Sequence, residues 1–234
     1  MERTHILSAR NPATGPGLQL SHILTEIEIR ERFSALAAEG ARNRTDPDAL
    51  GADTRGDHQL NPGMMPIAEL REAAVLVPLV ERDHDFQVLL TQRTEHLAHH
   101  AGQIAFPGGR MEPSDADAVA TALRETEEEI GLARAHVEPI GTLDRYITRT
   151  GFAVTPVVGF VRPPFDLALD PHEVADAFEV PLAFLLDPAN RQRHTIEFQG
   201  MARYFYAFTY GDRYIWGATA GMLVNLAELL NRAG

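Results

Sequence analysis

The sequence predicts an α+β protein, an α/β/α sandwich around a mixed β-sheet, with a helical extension at its N-terminus. Two observations lead there. Strand-like runs rich in β-branched residues dominate the middle of the chain: AAVLVPLV (73–80), FQVLLTQR (86–93) and AVTPVVGFV (153–161). One helical pattern is inserted among these strands and another follows them, so the regular alternation of βαβ winding is missing. At 234 residues and 44% hydrophobic, the chain has enough material for one well-buried core and an extension.

In chain order, residues 19–40 read as an amphipathic helix. Ile23, Ile27, Ile29, Phe33 and Leu36 fall near one face and Gly40 is the stop signal. Residues 41–66 shift to Asp, Gly, Asn and Pro, the composition of a linker or mobile loop. The expected division is therefore an N-terminal helix and flexible linker, 1–70, and a folded domain, 71–234. The domain opens with a hairpin, 73–80 and 86–93, turned by ERDHD. QIAF is a short strand that ends at Pro107 and a Gly pair. A helix follows, with Ser114 as its N-cap and Asp117 at the reciprocal capping position. VEPIGTLDRYIT and AVTPVVGFV are strands bracketing RTG. EVADAFEVPLAFLL combines a short strand with a helical turn, HTIEFQ and RYFYAFTY form a second hairpin, and WGATAGMLVNLAELLNR closes as a helix.

Composition excludes several chemistries. There is no cysteine, which removes disulfides, zinc–thiolate sites and thiol nucleophiles and makes the cytoplasm the default location. All 21 bases are Arg, so a Schiff-base lysine and a phosphate-loop GK[ST] are absent as well. A net charge of -12 repels a nucleic-acid duplex. No apolar run approaches the ~20 residues of a membrane span, and the N-terminus lacks the layout of a signal peptide. An anionic small-molecule substrate needs local Arg or a divalent metal to overcome this field.

The segment RETEEEIGL (124–132) supplies a place for that metal. On a helix, Val119, Leu123, Thr126 and Ile130 form one stripe, expected to pack down. Glu125, Glu128 and Glu129 group on another face through i, i+3, i+4 spacing. Glu127 falls away from the trio and Arg124 flanks it. Three carboxylates beside the carbonyls of a Gly-Gly turn make a hard, all-oxygen site suited to Mg2+ or Mn2+. The other reading of such a face is simple solvation.

This segment resembles the Nudix box, whose second half is R-E, an aliphatic, any, E-E, any, G, an aliphatic. Arg124, Glu125, Glu128, Glu129, Gly131 and Leu132 stand in those places, with Thr126 at the aliphatic position. The first half departs: counting from Gly109, the acid is Asp115, and eight residues intervene before Arg124. The longer spacing is known in the coenzyme A pyrophosphatase branch. Its upstream signature resembles LLTQRTEHLAHHAGQIAFPGG (89–109), where Thr94 stands for Ser, Ile104 for Val and Ala98 for Arg. TRTGFAVTPVVGFV and YIWGATAGML also look like this branch, and the resemblance spans roughly residues 71–226.

The resemblance implies a Nudix-type fold and hydrolysis of a nucleoside diphosphate derivative. In this branch coenzyme A plus water gives 4'-phosphopantetheine and adenosine 3',5'-bisphosphate. It implies Glu125 and Glu129 as principal metal ligands, Glu128 as a further ligand, and the Gly109 carbonyl completing the shell. Arg124, Asp115, Gly108 and Gly131 are then structural positions of the motif. The general base is Glu173, in a late loop, with Glu128 or a metal-bound hydroxide acting unaided as the alternatives. Arg93 is implied as a phosphate or coenzyme A contact. Arg145 and Arg149 are candidates for the 3'-phosphate against the simpler reading of solvated arginines. His96, His99 and His100 have metal-ligand spacing, but a structural role is the commoner one for such histidines. Trp216 reads as core or interface. A homodimer is a possible assembly. Two other functions stay open: a Nudix hydrolase of ADP-ribose, NADH or a dinucleoside polyphosphate, and a nucleotide-binding regulator without catalysis.

Overall fold

Side chains that alternate with period two decide how the central strands are buried. The computed structural model describes residues 24–43, 54–61, 69–83, 85–96, 101–198 and 201–232. In chain order its main-sheet strands are β1 (Thr54–Gly56), β2 (Arg71–Arg82), β3 (Asp85–Arg93), β4 (Ile104–Ala105), β5 (Gly108–Arg110), β6 (Val137–Thr142), β7 (Arg145–Ile147), β8 (Phe152–Val161) and β9 (Val174–Pro181). A separate three-stranded sheet holds β10 (Gln192–Phe198), β11 (Met201–Tyr210) and β12 (Arg213–Trp216). The helices are α1 (Glu26–Asn43), α2 (Asp57–Leu60), α3 (Ala118–Ile130), α4 (Leu182–Leu186) and α5 (Gly217–Leu230).

β2 lies at the centre, parallel to β8 and antiparallel to β3, which makes the sheet mixed as expected. It sends Ala73, Val77 and Leu79 to one face and Ala74, Leu76 and Val80 to the other. The first face packs against α1, α4 and α5 through Ile29, Phe33, Leu182, Leu185, Leu223 and Leu226. The second packs against α3 through Ala122 and Ile130. Helices on both faces give the α/β/α layering. No helix among the described residues is long and apolar enough to cross a membrane.

Three local expectations are corrected. The first helix runs from Glu26 through Gly40 to Asn43; Ile23 and residues 19–22 lie outside the described residues. A capping box fixes its start. The Thr25 hydroxyl accepts from the Glu28 N–H at 3.3 Å, and the Glu28 carboxylate accepts from the Thr25 N–H at 2.8 Å. An interior Gly costs only ~1 kcal/mol, which is not enough to end a helix. Ile27 and Ile29 are about 200° apart around the axis, so they cannot share a face. Ile29 is buried and Ile27 is exposed.

Part of the expected linker is also ordered. Residues 54–61 form β1 and α2, with β1 parallel to β7. Their polar side chains are tied to the body rather than solvated. Arg55 bonds Asp144 at 2.7 Å, Tyr146 donates to Asp57 at 2.7 Å, and Asn61 bonds the Tyr204 N–H and carbonyl. Residues 44–53 and 62–68 of that stretch lie outside the described residues.

The third correction is the cap of α3. Asp117 is the N-cap and accepts from the Ala120 N–H at 2.8 Å, while Ser114 lies in the preceding loop.

Candidate active site

The site begins where β5 docks beside β2. Gly108 has φ 149°, and a Cβ there would collide with the Ala74 carbonyl and the Val75 Cα, so the strand closes on β2 only with glycine. Gly109 faces α3. A Cβ on it would stand 2.5 Å from the Glu125 carboxyl carbon, so the absent side chain leaves that carboxylate its place against the strand.

The buried face of α3 is turned from the expected stripe. Ala122, Thr126, Glu129 and Ile130 are buried, whereas Val119 and Leu123 are only partly covered. The shift carries two of the three carboxylates downward. Glu129 is 5% exposed, and its Oε2 accepts from the Gly108 N–H at 3.2 Å. Arg93, at the end of β3, brings Nη1 to 3.9 Å from Glu129 Oε1. Burial pushes the Glu129 carboxyl up to about 7, against the pull of the Gly108 N–H and Arg93 and with the repulsion of Glu173 and Glu125. Burial also raises Glu125. Arg124 opposes that shift, while the charges of Glu128 and Glu173 add to it.

Arg124 is a clamp for the whole motif. Its Nε and Nη2 bond both oxygens of Asp115 at 3.0 and 2.9 Å, and Nη1 bonds Glu125 and Glu128 at 3.0 Å each. Nη2 also reaches the Arg110 carbonyl at 3.2 Å. The fork holds Asp115 well below the usual carboxylate range. Asp115 is further bonded by the Glu112 N–H and the Thr121 hydroxyl. This accounts for the unusual spacing: Asp is a methylene shorter than Glu, and the extra loop residue carries it to the guanidinium.

Gly131, at φ 69°, closes α3 in the left-handed region, and its N–H bonds the Glu127 carbonyl. The loop after β8 then packs on the helix end. Ala168 N–H bonds the Ile130 carbonyl at 2.8 Å and Asp170 N–H the Glu129 carbonyl at 2.9 Å. An Asx turn follows, in which Asp170 accepts from the His172 N–H at 2.8 Å. It presents Glu173, an exposed residue whose charge is felt by both Glu125 and Glu129.

The loop has a second anchor that sequence reasoning missed. Buried Thr94 donates its N–H to the Glu173 carbonyl at 3.0 Å and its hydroxyl to the His172 carbonyl at 3.1 Å. A hydroxyl is what this contact uses, so Ser or Thr fits equally. The DPH turn signal at 170–172 was the available hint for the loop, but nothing in the sequence pairs it with Thr94.

Arg145 pairs with a carboxylate outside the trio. Arg145 binds both oxygens of Glu72 at 2.5 and 2.6 Å, and Arg149 is exposed in the turn between β7 and β8. Trp216 is 41% exposed at the end of β12, so it is not a core residue. Of the three histidines only His96 is among the described residues; His99 and His100, like Ala98, lie outside them.

Among the described residues no three carboxylates or imidazoles converge in a ready-made metal cage. The reason is visible: the Arg124 guanidinium bridges Glu125 and Glu128, and Glu129 turns to the Gly108 N–H. The donor chemistry nevertheless fits a hard divalent cation. Two adjoining carboxyls are raised by burial and by each other's neighbours, and a cation would relieve that cost. Glu125, Glu128 and Glu129, with the Gly109 carbonyl, are the residues that would hold it.

A NUDIX domain model matches residues 70–199. An uncharacterized Nudix hydrolase, NudL, of Escherichia coli is 43% identical over 157 residues, 67% of this chain and 81% of that protein. Its namesake in Shigella boydii is 42% identical over the same coverage. Among solved structures, a MutT/nudix family protein from Enterococcus faecalis aligns with 16% identity and a TM-score of 0.44, covering 89% of this chain and 76% of that one. A domain match over more than half of the chain and close relatives over most of their length place this protein in the Nudix hydrolase family, as a pyrophosphohydrolase of nucleoside diphosphate derivatives.

Proposed function

We propose that this enzyme hydrolyses coenzyme A or a coenzyme A derivative, with Mg2+ or Mn2+, in the cytoplasm. Residues 71–234 would be the catalytic domain and residues 1–70 an N-terminal extension. One observation supports the substrate: both described ends of the stretch 89–109, which resembles the coenzyme A branch, meet the carboxylates or the loop that carries Glu173. Its Arg93 approaches Glu129, its Thr94 holds the Glu173 loop, and its Gly108 and Gly109 seat Glu129 and Glu125.

A cation held by Glu125, Glu128 and Glu129 would withdraw charge from the pyrophosphate oxygens and acidify a water. The chain supplies the rest. Arg93 has a buried Nε with no hydrogen-bond partner among the described residues, a donor ready for a phosphate oxygen. Glu173 is the base that this arrangement favours: it is exposed, its charge is felt by both Glu125 and Glu129, and it is fixed through its backbone. Glu128 is instead engaged by Arg124 Nη1 at 3.0 Å. The water oxygen bonds one phosphorus as the bridging P–O bond breaks, the water proton passes to the base, and the other phosphate leaves.

The test is product analysis with purified protein and each metal, offering coenzyme A, ADP-ribose, NADH and diadenosine polyphosphates. Adenosine 3',5'-bisphosphate released from coenzyme A is the expected result. Cleavage of the others but not of coenzyme A would remove the substrate reading and keep the hydrolase. Binding without any cleavage would favour the regulator.

The anchor of Glu173 gives a separate prediction. Thr94→Val should lower kcat about fivefold, the effect of one lost hydrogen bond on the order of 1 kcal/mol. Thr94→Ser should restore it. If both variants kept the wild-type kcat and pH–rate profile, Thr94 would have no part in positioning Glu173.

A further inference from the structure

The second sheet is unused by the site and carries an exposed edge. Among the described residues β10 pairs only with β11, so its outer backbone groups have no strand partner. Edge strands are normally blunted by charge, proline or bulges because they template pairing with another chain. β10 has neither proline nor a bulge in its register, its charges are one Arg and one Glu of opposite sign, and it shows Ile196 to solvent at 56% exposure.

The face of this sheet away from the core is aromatic. Register places His194 beside Phe205, and Tyr214 and Trp216 on the same side. The rings touch in series: His194 to Phe205 at 5.7 Å, His194 to Tyr214 at 6.1 Å, and Phe205 to Trp216 at 5.8 Å. The opposite face carries the buried Phe208 and Ile215 into the core, which fixes the sheet's position.

We infer that β10 is the interface for a second copy of this chain, paired antiparallel about a two-fold axis through Thr195. The sequence QRHTIEF is self-complementary about that residue. Arg193 of one copy falls opposite Glu197 of the other, twice by symmetry, and His194 falls opposite Ile196. Opposite charges directly across a ladder stabilise it, and an isologous contact needs such self-matching. Both partners are available. Glu197 has no ion pair among the described residues, and Arg193 lies over the Tyr204 ring at 4.3 Å without a carboxylate. The strand itself carries no net charge, one Arg against one Glu, on a chain of net charge -12, so two copies of it meet without the repulsion of the acidic surface. Pairing would join two three-stranded sheets into one of six and extend the aromatic face across both copies.

Strand pairing alone buries less than the roughly 800 Å2 per partner of a typical stable interface, so the dimer should be concentration-dependent. Sedimentation velocity over a roughly hundredfold concentration range tests this on the full chain, with circular dichroism as the check of folding. The wild type should pass from monomer to dimer. Arg193→Glu and Glu197→Arg should each weaken the dimer at least about tenfold by opposing like charges. The double exchange should restore it. A wild type that stays monomeric, a dimer indifferent to both single changes, or a folded double variant that stays monomeric would each overturn the interface. None of these readouts depends on catalysis, so the inference stands or falls apart from the substrate.

Discussion

Glu129→Gln should abolish most of the activity while leaving the protein folded. The expected loss in kcat is about 10²- to 10³-fold, the size seen when one preorganised electrostatic contact is removed. Two features set the direction. Glu129 lies under the Gly108 N–H at 3.2 Å with Arg93 beside it, so its carboxylate has a fixed position and a fixed charge partner. Gln keeps that shape and loses the charge, and a neutral side chain suits a site that already resists ionisation. Glu125→Gln should behave similarly, since that carboxylate is packed against Gly109. Glu127→Gln is the control: its exposed carboxylate pairs with Arg134, away from the site. Steady-state kinetics with a thermal melt of each variant decides the matter. Near-normal turnover in both the Glu125 and Glu129 variants would remove them as metal ligands.

Much of this architecture was legible because it rests on period and spacing. The hairpin of β2 and β3, the closing helix α5 and the second hairpin all follow from alternation bounded by turn residues. The Nudix box was legible because backbone geometry enforces its spacing: Gly108 and Gly131 sit where a Cβ is forbidden, and Arg124 spans to Asp115 across the loop. What escaped was tertiary. The stripe through Val119 and Leu123 looked like the packing face because those residues are apolar, yet the helix is rolled to bury Glu129 instead. Hydropathy ranks a glutamate last for burial; only the neighbouring Gly108 N–H and Arg93 make it tolerable. The polar stretch at 54–61 looked like linker for the same reason. Its side chains find partners on β7, β11 and α5 that no local window contains. Arg145 shows the same limit from the other side: its partner Glu72 is distant in sequence, so no local window pairs the two.

A buried glutamate that titrates near neutrality should also leave its mark on folding. With a chelator present, stability should fall as the pH rises from about 5 to about 8. The folded protein holds the Glu129 proton up to about 7, whereas an ordinary carboxyl of an unfolded chain releases it near 4.5. Between those values the native state binds more protons, so unfolding becomes easier with rising pH. The penalty reaches about 3 kcal/mol above both values. Glu26 works in another window: Arg162 and Arg30 lower it to about 2, so its contribution is present above the usual carboxylate range and is lost only in acid. Urea unfolding of wild type and Glu129→Gln across this range isolates the effect, because the variant should lack the extra slope. Adding Mg2+ should cancel the wild-type loss at high pH, since a cation prefers the deprotonated carboxylate and its uptake near pH 6 should release about one proton. Parallel stability curves for the two proteins would mean that burial does not hold the Glu129 proton, and that the charge is already matched without a metal.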